Sequence, residues 1–244
     1  MDLLLNCDLG ESDDAHQLGI ESTVMPHLDQ VNIACGFHAG NSLVMEKTLD
    51  LAKKNQLAVG AHPSYPDKFN FGRQSMRMAP TDLISCLQYQ IAQLEKAARK
   101  FDLCVIYVKP HGALYNDMMV NGHIRSAVMT AIAESSATST LMLQASPDAE
   151  IHRQEAESFG LCLCFEVFAD RAYQDDGSLV PRNQTGAILS HKKMLAQVQQ
   201  LKQDDSVTTL KGNRLPLNAD TLCIHGDNPQ AVMDIREIRS ILSL

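Results

Sequence analysis

The stretch Val105-Ile106-Tyr107-Val108-Lys109-Pro110-His111-Gly112 is a short apolar run that ends in a histidine between proline and glycine. Three similar runs also end in a histidine near glycine or proline, and a fifth run, at the N-terminus, ends in a carboxylate. The three histidine runs are residues 31–38, 57–63 and 221–227, and the N-terminal run is residues 3–8. Parallel strands of α/β folds carry catalytic groups just past their carboxyl ends. As neighbours in one sheet, the five runs would bring four imidazoles and Asp8 to one rim.

Segments with helical spacing separate these runs and two further ones, so the chain alternates strand and helix seven times. Such alternation predicts a parallel sheet, and near-continuous apolar strands fit burial on both faces. We predict one α/β domain over residues 1–244, a closed or nearly closed, TIM-like (β/α)7 barrel. A doubly wound open sheet is the second choice, because it would concentrate its site at one switch point rather than at five or six strand ends.

Local signals refine this outline. Asn41 or Ser42 is expected to cap a helix, and Thr81-Asp82 begins the most regular helix of the chain, which ends near Phe101. A single helix is predicted from about Asp117 to Glu134. Gly212-Asn213 predicts a hairpin before the last strand.

Composition excludes several classes of function. The 244 residues contain 21 Lys+Arg and 29 Asp+Glu, a net charge of −8, so nucleic acid is not an expected partner. No apolar stretch is long enough to span a membrane, and no N-terminal signal is recognised. The seven cysteines form no CxxC pair and are odd in number. They predict reduced core residues of a cytoplasmic protein.

The chain also lacks familiar catalytic signatures. It contains no G-x-x-x-x-G-K-[ST], no G-x-G-x-x-G, no G-x-S-x-G and no H-E-x-x-H. A nucleotide would therefore find none of the usual phosphate-binding loops in this chain.

The strand-end histidines are the main functional signal. Histidine acts as acid, base or metal ligand near neutral pH, and glycine lets the backbone approach a ligand closely. One such histidine alone is more often structural, but four at strand ends favour a site. These are His38, His62, His111 and His225, whereas the histidines at positions 16, 27, 123, 152 and 191 are expected on surfaces.

Charged residues near the same rim have a functional and a structural interpretation. Asp8 is a candidate metal ligand or general base, or else a turn residue, and Lys109 could stabilise an oxyanion or pair at the rim. Arg73 and Arg182 lie on long loops, where they could bind a carboxylate or only make surface contacts. Four further residues complete this group: Asp170 and Arg171 as an internal ion pair, and Glu166 and Asp227 as barrel-end acids.

Six segments carry a specific resemblance. They are residues 6–11, 32–40, 60–67, 109–116, 166–171 and 225–227, and they resemble, in order, the signature blocks of the LamB/YcsF family. The resemblance covers residue 2 to about residue 230. The family contains the A subunit of bacterial ATP-dependent 5-oxoprolinase.

This resemblance implies a seven-stranded barrel of the glycoside hydrolase/deacetylase type. It also implies hydrolytic opening of 5-oxo-L-proline to L-glutamate, driven by ATP that the partner B and C subunits use to phosphorylate the lactam. That division of labour agrees with the missing phosphate loop. On this hypothesis the catalytic residues are Asp8, His38, His62, Lys109 and His111.

The remaining roles follow from the same hypothesis. Residues expected to contact substrate are Arg73, Tyr115, Asp170, Arg171, Arg182, His225 and Asp227. Related deacetylases bind a divalent ion with one Asp and two His, and Asp8, His38 and His62 could imitate that set. The chain departs from the family at Asn41-Ser42, where Asp-Pro is usual, and at Gln74, where a second Arg is common.

Two other functions stay open at this point. One is a metal-dependent deacetylase or amidohydrolase that acts alone without ATP. The other is a non-catalytic, ligand-binding subunit whose histidines are structural. Self-association into a homo-oligomer is also left open by the sequence.

Overall fold

The computed structural model describes residues 3–12, 14–135, 137–225 and 233–243. Its strands are β1 (Leu4–Leu9), β2 (Gln30–Ala34), β3 (Ala58–His62), β4 (Val105–Val108), β5 (Thr140–Gln144), β6 (Cys162–Phe168), β7 (Ser206–Thr208), β8 (Arg214–Pro216) and β9 (Thr221–His225). Its helices are α1 (Ala15–Val24), α2 (Ser42–Lys54), α3 (Pro80–Arg99), α4 (Gly112–Val120), α5 (Gly122–Ala133), α6 (Ala149–Ser158), α7 (His191–Asp204) and α8 (Ile235–Leu242), with a short 3-10 turn at Met25–His27.

Seven strands close into a parallel barrel in the order β1-β2-β3-β4-β5-β6-β9. The barrel closes because β9 pairs in parallel with both β1 and β6. The predicted (β/α)7 barrel is therefore confirmed, and the open sheet is wrong. The predicted hairpin is β7 with β8, which pair antiparallel outside the barrel.

One predicted helix is divided in two. The segment expected as a single helix over 117–134 is α4 followed by α5, with Asn121 between them. The Asn121 side chain accepts hydrogen bonds from the backbone N–H groups of His123 and Ile124, which makes it the N-cap of α5. Asparagine favours this position over a helix interior because its short side chain satisfies the first free N–H groups. The predicted start of the last helix, at 228–229, lies outside the described residues.

The cysteines are all free in the part of the chain that the structure describes. Cys7, Cys35 and Cys223 are buried as predicted. Cys104 and Cys162 are exposed, which corrects the expectation that they belong to the core. They stand just before β4 and at the start of β6, where the strands enter from the surface.

The barrel interior is partly polar, although the strands look apolar in sequence. Asn32 Nδ2 donates to both Asn6 Oδ1 (2.8 Å) and Asp8 Oδ1 (2.7 Å). Asn6 in turn donates to Thr221 Oγ1, and Tyr107 donates its hydroxyl proton to Asn32 Oδ1. Buried polar groups are stable only when they are hydrogen bonded, so this network orients Asp8 from below.

Gly60 makes room for the largest member of that network. Its register partner on β4 is Tyr107, and the ladder shifts between Val59 and Gly60. A Cβ atom built on Gly60 would lie 2.0 Å from Cε2 of the Tyr107 ring. The missing side chain on β3 is therefore what lets the tyrosine ring lie inside the barrel.

We expect Gly60→Ala to lower the free energy of unfolding by about 1–3 kcal/mol, because the added methyl group overlaps a fully buried ring. Gly19→Ala is the matched control, since Gly19 lies in α1 with no atom within 4 Å of the added Cβ. That control should raise stability by about 0.5–1 kcal/mol. Urea unfolding of both variants measures the difference, and equal stabilities would show that the ring moves aside without cost.

Candidate active site

A cavity of about 620 Å³ opens at the carboxyl-terminal rim of the barrel. Most of the residues that the sequence selected line it. These are Asp8, His62, Arg73, Lys109, His111, Tyr115, Arg171, Arg182 and His225. His38 and Asp170 are buried directly behind this wall, and Asp227 lies outside the described residues.

Lys109 stands between two buried carboxylates. Its Nζ donates to Asp8 Oδ1 at 2.8 Å and forms an ion pair with Glu166 Oε1, also at 2.8 Å. The second contact is an ion pair whose angles do not meet those of a hydrogen bond. Glu166 Oε1 accordingly has no hydrogen-bond partner among the described residues. Tyr115 donates its hydroxyl proton to the other oxygen of Glu166. The cluster contains two negative groups and one positive group.

These contacts set the charge of the cluster. Burial favours the neutral form of Asp8, but Lys109 and His62 outweigh it and hold the pKa of that carboxyl well below its usual range. Burial likewise opposes the charge of Lys109, and Asp8, Cys223 and Glu166 raise its pKa well above the ordinary value. Asp8 is thus an ionised carboxylate and Lys109 a permanent cation at neutral pH.

Three histidines from three strand ends form one compact group. The rings of His38 and His111 stack, with centroids 3.8 Å apart and planes 4° from parallel. His62 stands edge-on to His111, with its Nε2 3.0 Å from His111 Nδ1. His62 Nε2 also lies 3.5 Å from Asp8 Oδ2. The predicted convergence of strand-end imidazoles therefore holds for these three.

Burial keeps two of these rings neutral. It lowers the pKa of His38 well below the ordinary value, and the neighbouring His62 adds to the effect. The pKa of His111 is lowered in the same way, first by burial and then by His38 and His62. Neutral imidazoles carry a lone pair, so both rings are available as bases or ligands.

Two glycines let the loop after β3 cover this group. Gly72 has φ +64°, and a Cβ there would lie 2.9 Å from both the His111 ring and His38 Cβ. Gly112 has φ +59°, and its Cβ would lie 2.5 Å from the carbonyl oxygen of Gly72. Both positions need glycine's left-handed backbone and its lack of a side chain. The loop therefore packs on the histidines and presents Arg73 to the cavity.

Three arginines line the outer cavity, together with Asp148 and Asp176. Arg73 lies over the Phe71 ring at 5.0 Å, and Arg171 Nη2 donates to the Val180 carbonyl at 2.7 Å. Arg182 lines the same wall. Guanidinium groups bind carboxylate and phosphoryl oxygens in pairs, so this wall suits an anionic ligand.

The fourth strand-end histidine lines the same cavity but groups with Asp8 and Cys223 rather than with the other three imidazoles. His225 Nδ1 is 2.9 Å from Asp170 Oδ1, and its ring stacks on Phe168 with centroids 5.3 Å apart. Asp170 was expected to pair with Arg171, and the structure shows that it contacts His225. The carboxylate therefore fixes the orientation of the imidazole ring.

Sequence reasoning missed several residues of the site. Glu11 lines the cavity, with Oε1 3.5 Å from His38 Nε2 and 3.6 Å from His111 Nδ1. His152 was assigned to a surface but is buried and lines the cavity. Glu166 was considered only as a barrel-end acid. The acidic loop after β1 was the available signal for Glu11; nothing local marks His152.

The cluster suited to a metal ion differs from the predicted one. Glu11, His38, His62 and His111 offer ligand atoms that all lie within 4.8 Å of one another. Asp8 groups instead with Cys223 and His225, and its Oδ1 accepts hydrogen bonds from Lys109 and Asn32. The predicted set of Asp8, His38 and His62 stays a prediction, and the geometry offers Glu11 and His111 beside His38 and His62.

Asn41 caps the helix that follows β2. Its Oδ1 accepts hydrogen bonds from the backbone N–H groups of Leu43 and Val44, so it is the N-cap of α2, as predicted. Asparagine and aspartate are comparable N-caps. Asn41 does not line the cavity, so the departure from the family pattern lies outside its wall.

No helix among the described residues is long and apolar enough to cross a membrane.

Comparisons with known proteins agree with this architecture. The LamB/YcsF family pattern matches residues 3–243. The chain is 43% identical to the A subunit of a 5-oxoprolinase from Vibrio campbellii, with 98% of this chain and 95% of the relative covered. It is also 43% identical to the corresponding 5-oxoprolinase A subunit of Pseudomonas fluorescens, with 99% and 97% covered.

A solved structure is similar over the whole length. The lactam utilization protein of Thermus thermophilus superposes with a TM-score of 0.89 at 32% sequence identity, covering 100% of this chain and 96% of that one. The barrel, the ordered signature blocks and these relatives lead to one conclusion. The chain belongs to the LamB/YcsF family.

Proposed function

We propose that this chain is the A subunit of an ATP-dependent 5-oxoprolinase and carries out the hydrolytic opening of 5-oxo-L-proline to L-glutamate. The observation that carries the proposal is one cavity in which the Asp8–His62 pair faces a wall containing Arg73, Arg171 and Arg182. A base beside an anion-binding wall suits hydrolysis of a small anionic amide. The names of the relatives support the same substrate.

The reaction explains why such a site needs partners. An amide is stabilised by resonance, so the ring carbon of the lactam is a poor electrophile. Phosphorylation of the amide oxygen by ATP on the partner B and C subunits would activate that carbon. Water then adds to it, the ring carbon–nitrogen bond breaks, and the nitrogen takes a proton, which leaves an acyl phosphate. A second water cleaves the acyl phosphate and releases phosphate. The net reaction consumes two waters and one ATP and releases L-glutamate, ADP and phosphate.

The cavity residues have matching roles. His62 Nε2, 3.5 Å from the ionised Asp8, accepts the proton of the attacking water. The proton that His62 accepts passes across the 3.0 Å contact to His111 Nδ1, and His111 delivers it to the ring nitrogen. Lys109 keeps Asp8 ionised and adds positive charge beneath the reacting carbon, where an oxyanion develops.

The arginine wall and Tyr115 account for substrate binding. The carboxylate of 5-oxoproline and the phosphoryl group are both anions, and three guanidinium groups can hold the two together. Tyr115 borders the cavity while its hydroxyl is held by Glu166, so its position is defined. His225, held by Asp170, adds a further polar ring to the wall.

A reconstitution assay tests the proposal. The chain is co-expressed with the B and C subunits of a related 5-oxoprolinase, and L-glutamate is measured with and without ATP. We expect glutamate to form only when all three subunits and ATP are present. Hydrolysis of simple N-acetyl substrates by the isolated chain would instead favour a stand-alone deacetylase or amidohydrolase. Tight 5-oxoproline binding without turnover in the complete mixture would favour a non-catalytic role.

A further inference from the structure

Two histidines of this group face each other with nitrogens that neutral imidazole rings alone would not bring together. His62 Nδ1 lies 2.7 Å from the carbonyl oxygen of Lys109, and His111 Nε2 lies 2.9 Å from that of Phe71. A carbonyl oxygen only accepts, so each of these ring nitrogens carries the proton. The other two nitrogens, His62 Nε2 and His111 Nδ1, then face each other at 3.0 Å. In the neutral rings both present lone pairs, which repel unless a cation lies between or beside them.

The third ring points to the same requirement. Both ring nitrogens of His38 are buried and have no hydrogen-bond partner within the described ranges of the chain. A buried polar group without a partner is costly, so this ring needs a ligand. Its Nε2 lies 3.5 Å from Glu11 Oε1, and that oxygen is 3.6 Å from His111 Nδ1. Four elements thus bring three imidazoles and one carboxylate to a common centre.

We infer that Glu11, His38, His62 and His111 bind one divalent transition-metal ion at the floor of the cavity. Four donors around a zinc ion at about 2.0–2.1 Å are about 3.3 Å apart in a tetrahedron. Three of the six donor separations in this group, 3.0, 3.5 and 3.6 Å, scatter around that value, and all six are within 4.8 Å. Three imidazoles with one carboxylate suit zinc, cobalt, nickel or iron(II) better than calcium or magnesium.

The surroundings of the ligands support this assignment. Metal-binding histidines usually donate their second N–H to a carbonyl or carboxylate, which fixes the ring orientation, and His62 and His111 both do so. Glu11, His62 and His111 also line the cavity, so an ion can reach the site from solvent. A divalent ion bound there would occupy His62 Nε2 and His111 Nδ1, so the proton transfers proposed for these two rings belong to the metal-free site. The ion would instead supply Lewis-acid chemistry to whatever occupies the cavity.

Metal content of the isolated full-length chain tests the inference without partners, ATP or substrate. Chelator-treated protein is dialysed against Zn²⁺ or Co²⁺, and bound metal is measured by elemental analysis. We expect about one ion per chain, a higher melting temperature with metal, and visible absorption bands of four-coordinate Co²⁺. Glu11→Gln and His38→Gln should each weaken binding about 100-fold or more.

His191→Gln is the matched control, because His191, Asp234 and Glu237 form an exposed group that could hold an adventitious ion. This variant should still bind one ion and keep the Co²⁺ spectrum. Glu11→Gln removes a charge at the cavity wall and should fold even if His38→Gln does not.

Three results would overturn the inference: no ion bound by the wild type, unchanged binding in Glu11→Gln, or loss of the ion only in His191→Gln. A proton shared between His62 and His111 would then be the remaining explanation of their contact. Because the readout is metal content rather than turnover, the site can fail while the proposed reaction stands, and the reverse also holds.

Discussion

Lys109→Met is expected to lower the free energy of unfolding by about 3–5 kcal/mol, because it leaves two buried carboxylates without their cation. The side chain is 3% exposed, so solvent cannot replace the lost charge. The loss should shrink as the pH falls. Without Lys109 the pKa of the buried acids rises in the folded state, and stability linked to a raised pKa is present at low pH and lost at high pH. Urea unfolding at pH 5.5 and pH 8 measures both effects.

Glu166→Gln is the matched control for that variant. It removes one of the two carboxylates but keeps the Asp8–Lys109 pair, the side-chain volume and an oxygen for the Tyr115 hydroxyl. We expect it to cost no more than about 1.5 kcal/mol, the contribution of a typical hydrogen bond. If the two variants were equally destabilised, the packing around Lys109 rather than its charge would be the important factor.

Asp8→Asn is expected to lower kcat/KM for ATP-dependent glutamate formation by about 10²–10⁴-fold in the reconstituted enzyme. The amide keeps the size of the carboxylate, and Lys109 keeps Glu166 as a counter-ion, so the variant should fold. What it loses is the negative charge 3.5 Å from His62 Nε2, the nitrogen that takes the proton of the attacking water. Steady-state assays with the partner subunits measure the loss.

Asp50→Asn controls for the loss of one acidic group. Asp50 is an exposed residue of α2 that pairs with Lys54, far from the cavity wall. Replacing Asp50 should leave kcat/KM unchanged and should change the melting temperature very little. Activity of Asp8→Asn within about threefold of wild type would contradict the role given to Asp8, since replacing the carboxylate beside a catalytic histidine by its amide costs about 10⁴-fold in the Ser-His-Asp triad.

The barrel and its active rim were predictable because both follow from local patterns. Apolar runs alternating with helical spacing specify parallel strands, and polar residues at strand ends then share one edge. His62 and His111 could be placed in this way from β3 and β4 alone. Glu11 could not, because it lies in a loop past β1, and no local rule says which way a loop residue turns.

The polar interior of the barrel could not be predicted from the sequence either. Asn6, Asn32 and Tyr107 look like ordinary members of apolar strands, and only closure of the barrel makes them neighbours. The same holds for His152, whose helical context suggests a surface. Its burial depends on how α6 packs beside the cavity.

The amino-acid sequence by itself determined the strand order along the chain, the helix caps such as Asn41, the strand ends that carry chemistry and the family. These features depend on hydrophobic periodicity, capping and short motifs, which act over a few residues. Only the tertiary structure decided that Lys109 lies between Asp8 and Glu166, and that Glu11 rather than Asp8 faces His38. Those contacts join residues up to about a hundred positions apart, and their distances depend on barrel closure and side-chain packing, which no local pattern encodes.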